Sequence, residues 1–201
     1  SCLMTWFDEL EYYIGSGGFV MGPLLIGTAI LWFGIGWRAL TLKRGVTLPL
    51  RDLVDQVDGS GIENPSGIID LAAVRGVALG KLNLKCLRDY LDDCFGELQA
   101  EMRGFQGIVR SIVMVAPLAG LLGTVAGMIE TFDSLGSMSL FSQSGGVAGG
   151  ISQALISTQM GLAVAIPGLL AGRILQRRQT RLEMELEQLK ELLCTRFGEE
   201  K

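Results

Sequence analysis

The sequence predicts an all-α membrane protein with three transmembrane helices and long cytoplasmic helical extensions. Two observations carry that class. The first is the length of the uncharged blocks: Phe19 to Trp37 and Ser111 to Ile129 each run 19 residues without a charge, and Ser134 to Gly172 runs 39. A helix crosses roughly 30 Å of hydrocarbon with about 20 mostly apolar residues. Each of the first two blocks is therefore one span, and the third holds a turn plus one more. The second observation is where the basic residues lie. All 17 Lys and Arg fall within Arg38 to Arg110 or Arg173 to Lys201. The positive-inside rule places both segments in the cytoplasm, with the N-terminus and the loop between the second and third spans outside.

The elements follow in order. Residues 1–18 read as a periplasmic amphipathic N-terminus, acidic at Asp8, Glu9 and Glu11, aromatic at Trp6, Phe7, Tyr12 and Tyr13, and closed by Gly15-Ser16-Gly17-Gly18. Aromatics with a polar edge suit the headgroup layer. With no basic residue ahead of it, the first block lacks the n-region of a cleaved signal and is expected to stay in the mature protein. Residues 19–40 form the first transmembrane helix, with Trp32 and Trp37 at its end and Arg38, Lys43 and Arg44 as interfacial anchors.

Residues 41–107 form a cytoplasmic helical region, in which Pro49 and the Gly59 to Gly67 stretch mark a turn between two short helical pieces. From Leu82 the apolar residues Leu84, Leu87, Leu91, Phe95, Leu98 and Met102 recur at three and four, and no proline intervenes before the second span at 108–132. Taken to Phe132 without a break, that helix is about 75 Å long at about 1.5 Å per residue. A periplasmic loop at 133–150 leads to the third transmembrane helix at 151–172 and a cytoplasmic C-terminal helix at 173–201. There Leu182, Leu186, Leu189 and Leu193 form an apolar seam that needs a partner helix, from this chain or a neighbour.

Composition excludes several functions. Net charge is −4 with no His, and acids and bases are mixed in both basic segments, so no nucleic-acid role is expected. Cys2, Cys86, Cys94 and Cys194 form no Cys-X-X-Cys pair, and without histidine neither a metal site nor a cofactor is expected. The last three thiols read as reduced packing residues of the cytoplasmic side. No nucleophile, base and orienting group form a recognisable set, so an enzyme is not expected.

Function is read from the faces of the second and third spans. At 100° per residue, Gly120, Gly123, Thr124, Gly127, Thr131 and Ser134 share one arc, opposite Leu118, Leu122, Val125 and Ile129. In the third span Gln153, Ala154, Ser157, Thr158, Gly161, Ala165, Gly168 and Gly172 oppose Leu155, Leu162, Ile166 and Leu169. Gly120, Gly123, Gly127 and Gly161, with Pro117 and Pro167, are read as helix-packing residues, because small residues let backbones approach. Thr124, Ser157, Thr158 and Gln153 are read as lining a pore, since lipid tolerates no such polar path. Nothing in these two spans can titrate, whereas a proton relay at depth uses Asp, Glu or His. Any carboxylate that binds protons must then come from another chain. Glu130 and Asp133 are a candidate outer vestibule, with a solvated helix end as their plainer role.

The stretches Ala116-Pro-Leu-Ala-Gly-Leu-Leu-Gly-Thr-Val-Ala-Gly-Met-Ile-Glu-Thr-Phe132 and Gly150-Ile-Ser-Gln-Ala-Leu-Ile-Ser-Thr-Gln-Met-Gly-Leu-Ala-Val-Ala-Ile-Pro-Gly168 resemble the paired signature helices of the ExbB/TolQ/MotA proton-channel family. Three spans favour the ExbB/TolQ branch over the four-span MotA branch. The resemblance implies a homopentameric ring in the bacterial inner membrane, whose second and third spans surround the single helices of two ExbD/TolR-like subunits. Those partners bring the missing aspartate. Carried over residue by residue, the family's pore-facing threonines fall on Thr124 and Thr158. Protonation of the partner's aspartate lets the inner helices turn and passes proton-motive force to a periplasmic or outer-membrane process, such as TonB-dependent transport through a TonB-like protein. Where the family commonly has glutamate before Ala-Leu, this chain has Gln153, which hydrogen-bonds but does not titrate. Two other classes compete: a TolQ-like envelope-maintenance or motility subunit, and a non-conducting membrane scaffold. A secondary transporter is disfavoured because neither internal repeats nor broken helices are evident.

Overall fold

The computed structural model describes residues 18–61, 65–82, 86–137 and 144–198. The amphipathic segment before Gly18, with Cys2, lies outside them, as do Leu84 of the helical pattern, residues 62–64 and 138–143, and the side chain of Ser134. Among the described residues six helices run in order: α1 (Met21–Thr41), α2 (Leu50–Gly59), α3 (Ile68–Lys81), α4 (Leu87–Met102), α5 (Gln106–Ser137) and α6 (Ser144–Phe197). No strand occurs among the described residues. Among the described residues three stretches are long and apolar enough to cross a membrane, within Met21–Thr41, Leu87–Asp133 and Ala148–Phe197. The chain is a multi-pass helical membrane protein. It divides into two compact units, residues 1–34 with 108–171, and residues 35–107 with 172–201.

The first unit is apolar. The Met21 N–H donates to the Gly18 carbonyl at 3.2 Å, and Pro23 falls in the first turn, where a missing N–H costs α1 nothing. Met21 and Leu24 of α1 pack with Ala116 of α5 and with Ile156 and Ala165 of α6. The opposite faces of α5 and α6 stay open, with Leu118, Leu122, Val125 and Ile129 exposed on one and Leu155, Leu162, Ile166 and Leu169 on the other. A continuous apolar surface of that kind is suited to lipid or to another membrane helix.

The second unit is an amphipathic bundle. Leu53, Val54 and Val57 of α2, Ile69, Ala72 and Val77 of α3, and Leu91, Phe95, Leu98 and Met102 of α4 are buried. The seam Leu182, Leu186, Leu189 and Leu193 is buried as well, and its partner is this chain: the side of Gly76 that a Cβ would occupy is filled by Leu193, with Phe95 and Leu91 next to it. Ion pairs edge the bundle, Arg44–Glu185 at 2.6 Å, Arg103–Glu183 at 3.3 Å and Arg88–Glu191 among them.

The loop between α1 and α2 is tied down by a carboxylate that the sequence reading passed over. Asp70 is 0% exposed. It accepts the Val46 N–H on both oxygens at 3.0 Å, and the Ser66 hydroxyl at 3.1 Å. Asp70 sits in the first turn of α3, where the helix dipole favours an anion. Gly45, at φ +97°, places its missing Cβ on the Asp70 carboxylate, so both its conformation and its smallness are required. Two orphan donors of α3 are used in the same knot, Ile68 N–H to Lys43 O at 2.9 Å and Ile69 N–H to Arg44 O at 3.2 Å.

Three expectations need correction. The long helix from Leu82 to Phe132 is broken: α4 ends at Met102 and α5 starts at Gln106. Between them Phe105 takes a left-handed φ of +59°, a conformation that costs a bulky residue about 1–3 kcal/mol. Its ring lies 6.3 Å from that of Trp37 in a tilted contact, which helps hold it there. The loop expected at 133–150 is shorter, because α5 continues to Ser137 and α6 has begun by Ser144. Arg38 is not a solvated anchor: it is 2% exposed, with Nη2 donating to Gln179 Oε1 at 2.6 Å.

Asp70→Ala leaves the Val46 and Ser66 donors without their acceptor and is expected to destabilise the protein by about 2–4 kcal/mol, read as a lowered Tm in detergent. A pH effect follows from Lys190, which is nearly buried and lies 2.8 Å from Asp92 and 2.6 Å from Glu187. The Asp92 hydrogen bond, then that of Glu187, holds its ammonium charged above the usual lysine range. The stabilisation is complete below the unfolded value of about 10.4 and is lost as pH rises through the higher folded value. Lys190→Met should therefore cost about 1 kcal/mol at pH 7, a gap that closes in melting curves taken well above pH 10.

Candidate functional site

The small-residue faces of α5 and α6 meet each other. A Cβ on Gly161 would stand 2.7 Å from the Ala116 carbonyl oxygen and 3.1 Å from the Gly120 Cα. One on Gly120 would stand 2.9 Å from the Ser157 carbonyl oxygen, and one on Gly127 3.2 Å from the Ala154 nitrogen. Backbone against backbone leaves no flexible side chain to yield. On the same ridge a Cβ on Gly123 would stand 2.5 Å from the Ser157 side chain. Further along α6, a Cβ on Gly168 would stand 2.8 Å from Leu31 of α1 and 2.9 Å from Val113 of α5. In lipid, where apolar surface gives helices no reason to associate, this close packing supplies the attraction.

The four residues expected along a pore separate into three settings. Ser157 is enclosed in the hairpin at 2% exposure, its hydroxyl donating to Gln153 O at 3.0 Å; within one chain it belongs to the helix contact, because Gly123 admits it there. Gln153 is half-buried, with its Nε2 against the position a Cβ of Gly18 would take. Thr124 and Thr158 are half-buried. The Thr124 hydroxyl donates to Leu121 O at 2.6 Å, and that of Thr158 crosses the hairpin to Gly120 O at 3.4 Å. Each hydroxyl spends its proton on a carbonyl and keeps lone pairs for another donor.

Of the prolines expected at helix contacts, Pro117 is half-buried in α5, whereas Pro167 stands exposed on α6 among its outward apolar residues. A proline ring is tolerated on that face because it adds apolar surface and its lost hydrogen bond concerns one carbonyl. Thr131 is buried, donating to Gly127 O at 2.7 Å. Glu130 and Asp133 are both exposed on the last turns of α5. Among the described residues no group of three or more Cys, Asp or Glu is placed to hold a metal ion.

Sequence reasoning missed a polar chain in the second unit. Arg38 donates to Gln179 Oε1, Gln179 Nε2 donates to Glu183 Oε1 at 3.0 Å, and Arg103 Nε donates to the same oxygen at 3.3 Å. Gln179 and Glu183 lie four apart on α6, a spacing that puts them on one face. Nothing in the sequence pairs them with Arg38.

Three apolar helices among the described residues, with a glycine-lined contact between the last two spans, define a multi-pass helical membrane protein. Comparison with known proteins names the family. Its profile, described as the MotA/TolQ/ExbB proton channel family, matches residues 67–188. The chain is 36% identical over 196 residues to biopolymer transport protein ExbB-like 1 of Helicobacter pylori, covering 94% of this chain and 99% of the relative. It is 31% identical over 185 residues to ExbB-like 1 of Synechocystis sp., covering 82% and 69%. A match to ExbB-like 3 of Synechocystis sp. is 43% identical over 110 residues, 51% of this chain and about half (52%) of the relative. The chain belongs to the MotA/TolQ/ExbB proton channel family.

The hairpin contact is testable by size alone. Gly161→Val should prevent recovery of folded protein. Gly161→Ala should cost about 1–3 kcal/mol, and Gly36→Ala, where nothing lies within 4 Å, should change the detergent Tm little.

Proposed function

We propose that this chain is the ring-forming subunit of an ion-driven motor of the bacterial inner membrane. In this reading five copies surround the single spans of two ExbD/TolR-like subunits, with the N-terminus periplasmic and the C-terminus cytoplasmic. The observation that carries the reading is chemical. From Ser111 to Ile129 and from Ser134 to Gly172 no side chain titrates, while Thr124 and Thr158 keep hydroxyls on the half-buried flank of the hairpin. A proton path at depth needs an acid, and the partner supplies it.

The threonines then have a defined task. A protonated partner carboxyl donates to the lone pairs that Thr124 and Thr158 leave open. Once the carboxyl ionises, a hydroxyl that rotates away from its own carbonyl donates to it instead. The wall follows the protonation state of its guest without itself ionising. Gln153 contributes a polar, non-titrating contact, and Glu130 and Asp133 draw cations toward the periplasmic end of α5. Residues 41–107 and 173–201 form the cytoplasmic part, and the work is delivered to a periplasmic or outer-membrane process, such as TonB-dependent transport.

Two results test this. A single-span protein carrying one membrane aspartate should copurify with the chain under mild extraction. Thr124→Val and Thr158→Val should preserve that complex yet lower gradient-driven proton flux in vesicles by about tenfold or more, since losing a hydrogen bond to a charged group costs about 1.5–3 kcal/mol. A bare homo-oligomer, or full flux in both variants, overturns the proposal.

A further inference from the structure

Where α1 leaves its apolar stretch, the second unit holds a cavity of about 430 Å³ walled by Trp37 and Leu40 of α1, Lys43 after it, Leu71 of α3, and Leu98 and Glu101 of α4. We infer that this cavity binds the headgroup of an aminophospholipid, with the phosphate on Lys43 and the primary ammonium on Glu101.

The walls argue for an amphiphile. Trp37 is 52% and Leu40 65% exposed. Trp37 and Leu40 lie three residues apart, so they share one face of α1, and both wall the cavity. An acyl chain lies along such a face, and a tryptophan at the end of a span marks headgroup depth.

The charges argue for a headgroup that carries both signs. Nearby ions are already matched, Arg44 with Glu185 and Arg103 with Glu183. Among the described residues neither Lys43 nor Glu101 takes part in an ion pair, although both wall the same cavity. They remain more than 4.0 Å apart, which leaves room for a bridging group. The first N–H groups of α3 do not compete for the phosphate, because Ile68 and Ile69 donate to the carbonyls of Lys43 and Arg44. A carboxylate accepts hydrogen bonds from a primary ammonium but not from a quaternary one. This separates phosphatidylethanolamine from phosphatidylcholine, and Glu101 repels the purely anionic phosphatidylglycerol.

The inference rests on reading α1 as a membrane span. The test is native mass spectrometry of the intact assembly, released in detergent and offered equal amounts of phosphatidylethanolamine, phosphatidylglycerol and phosphatidylcholine with identical acyl chains. Phosphatidylethanolamine should be retained about fivefold or more over either competitor, as one net hydrogen bond of about 1 kcal/mol gives. Glu101→Gln should erase that preference. Lys43→Gln should weaken phosphatidylethanolamine and phosphatidylglycerol together, and Lys43→Arg should restore them. Circular dichroism confirms that these surface variants fold. Equal retention of all three lipids, or an unchanged preference in Glu101→Gln, overturns the site. Release of the chain from membranes by alkaline carbonate overturns the span itself, a result distinct from loss of lipid preference.

Discussion

The contact between α5 and α6 is made by backbone, and that sets the terms for the apolar unit. Gly120 and Gly161 each lie where the other helix leaves no space for a methyl group. In hydrocarbon, leucine side chains gain nothing by leaving lipid for protein, so two spans associate through dense van der Waals packing and hydrogen bonds. Glycine supplies both by baring the backbone. Once the helices approach along that ridge, the remaining side chains sort by size. Ser157, Ala154 and Thr131 are enclosed beside it, and the large apolar residues are left on the outer faces.

The bundle unit follows the opposite rule, because burial there removes apolar surface from water. The leucine seam of α6 and the apolar positions of α3 and α4 close a dry core, while matched charges stay at its edge. Asp70 and Arg38 are exceptions inside: Asp70 is tolerated because backbone donors surround it on the loop it organises, and Arg38 donates to Gln179. One uninterrupted helix, α6, obeys both rules in turn: glycine and alanine up to Gly172, then leucines at three and four on a charged face.

In the proposed motor, a channel wall that carries hydroxyls and no acid has a functional logic. An intrinsic carboxylate at depth would need a permanent partner or would stay protonated. In that proposal the hydroxyls of Thr124 and Thr158 answer instead to whichever protonation state the guest presents. The proposed motor thereby places the titrating group on the part that moves and the neutral hydrogen-bonding groups on the part that encloses it.

Much of this architecture was legible in the sequence, since block length and helical period are properties of the chain alone. The three apolar stretches, the oily faces led by Leu118 and Leu155, and the seam from Leu182 to Leu193 all follow from spacing, while the family resemblance rests on the residues of the two signature helices themselves. What the chain could not disclose is which surface each face meets. Ser157 and Thr158 are neighbours with similar hydroxyls, yet one is enclosed by Gly123 and the other reaches across to Gly120. Arg38 has the sequence position of an interfacial anchor, yet its partner is Gln179, 141 residues away. Periodicity continues the helix through Phe105, yet the chain breaks there, with the Phe105 ring against that of Trp37. Asp70 gains its importance from Val46 and Gly45 on a distant loop. Local spacing determines helices and faces; partners far apart in the chain are chosen only when packing brings them within van der Waals reach.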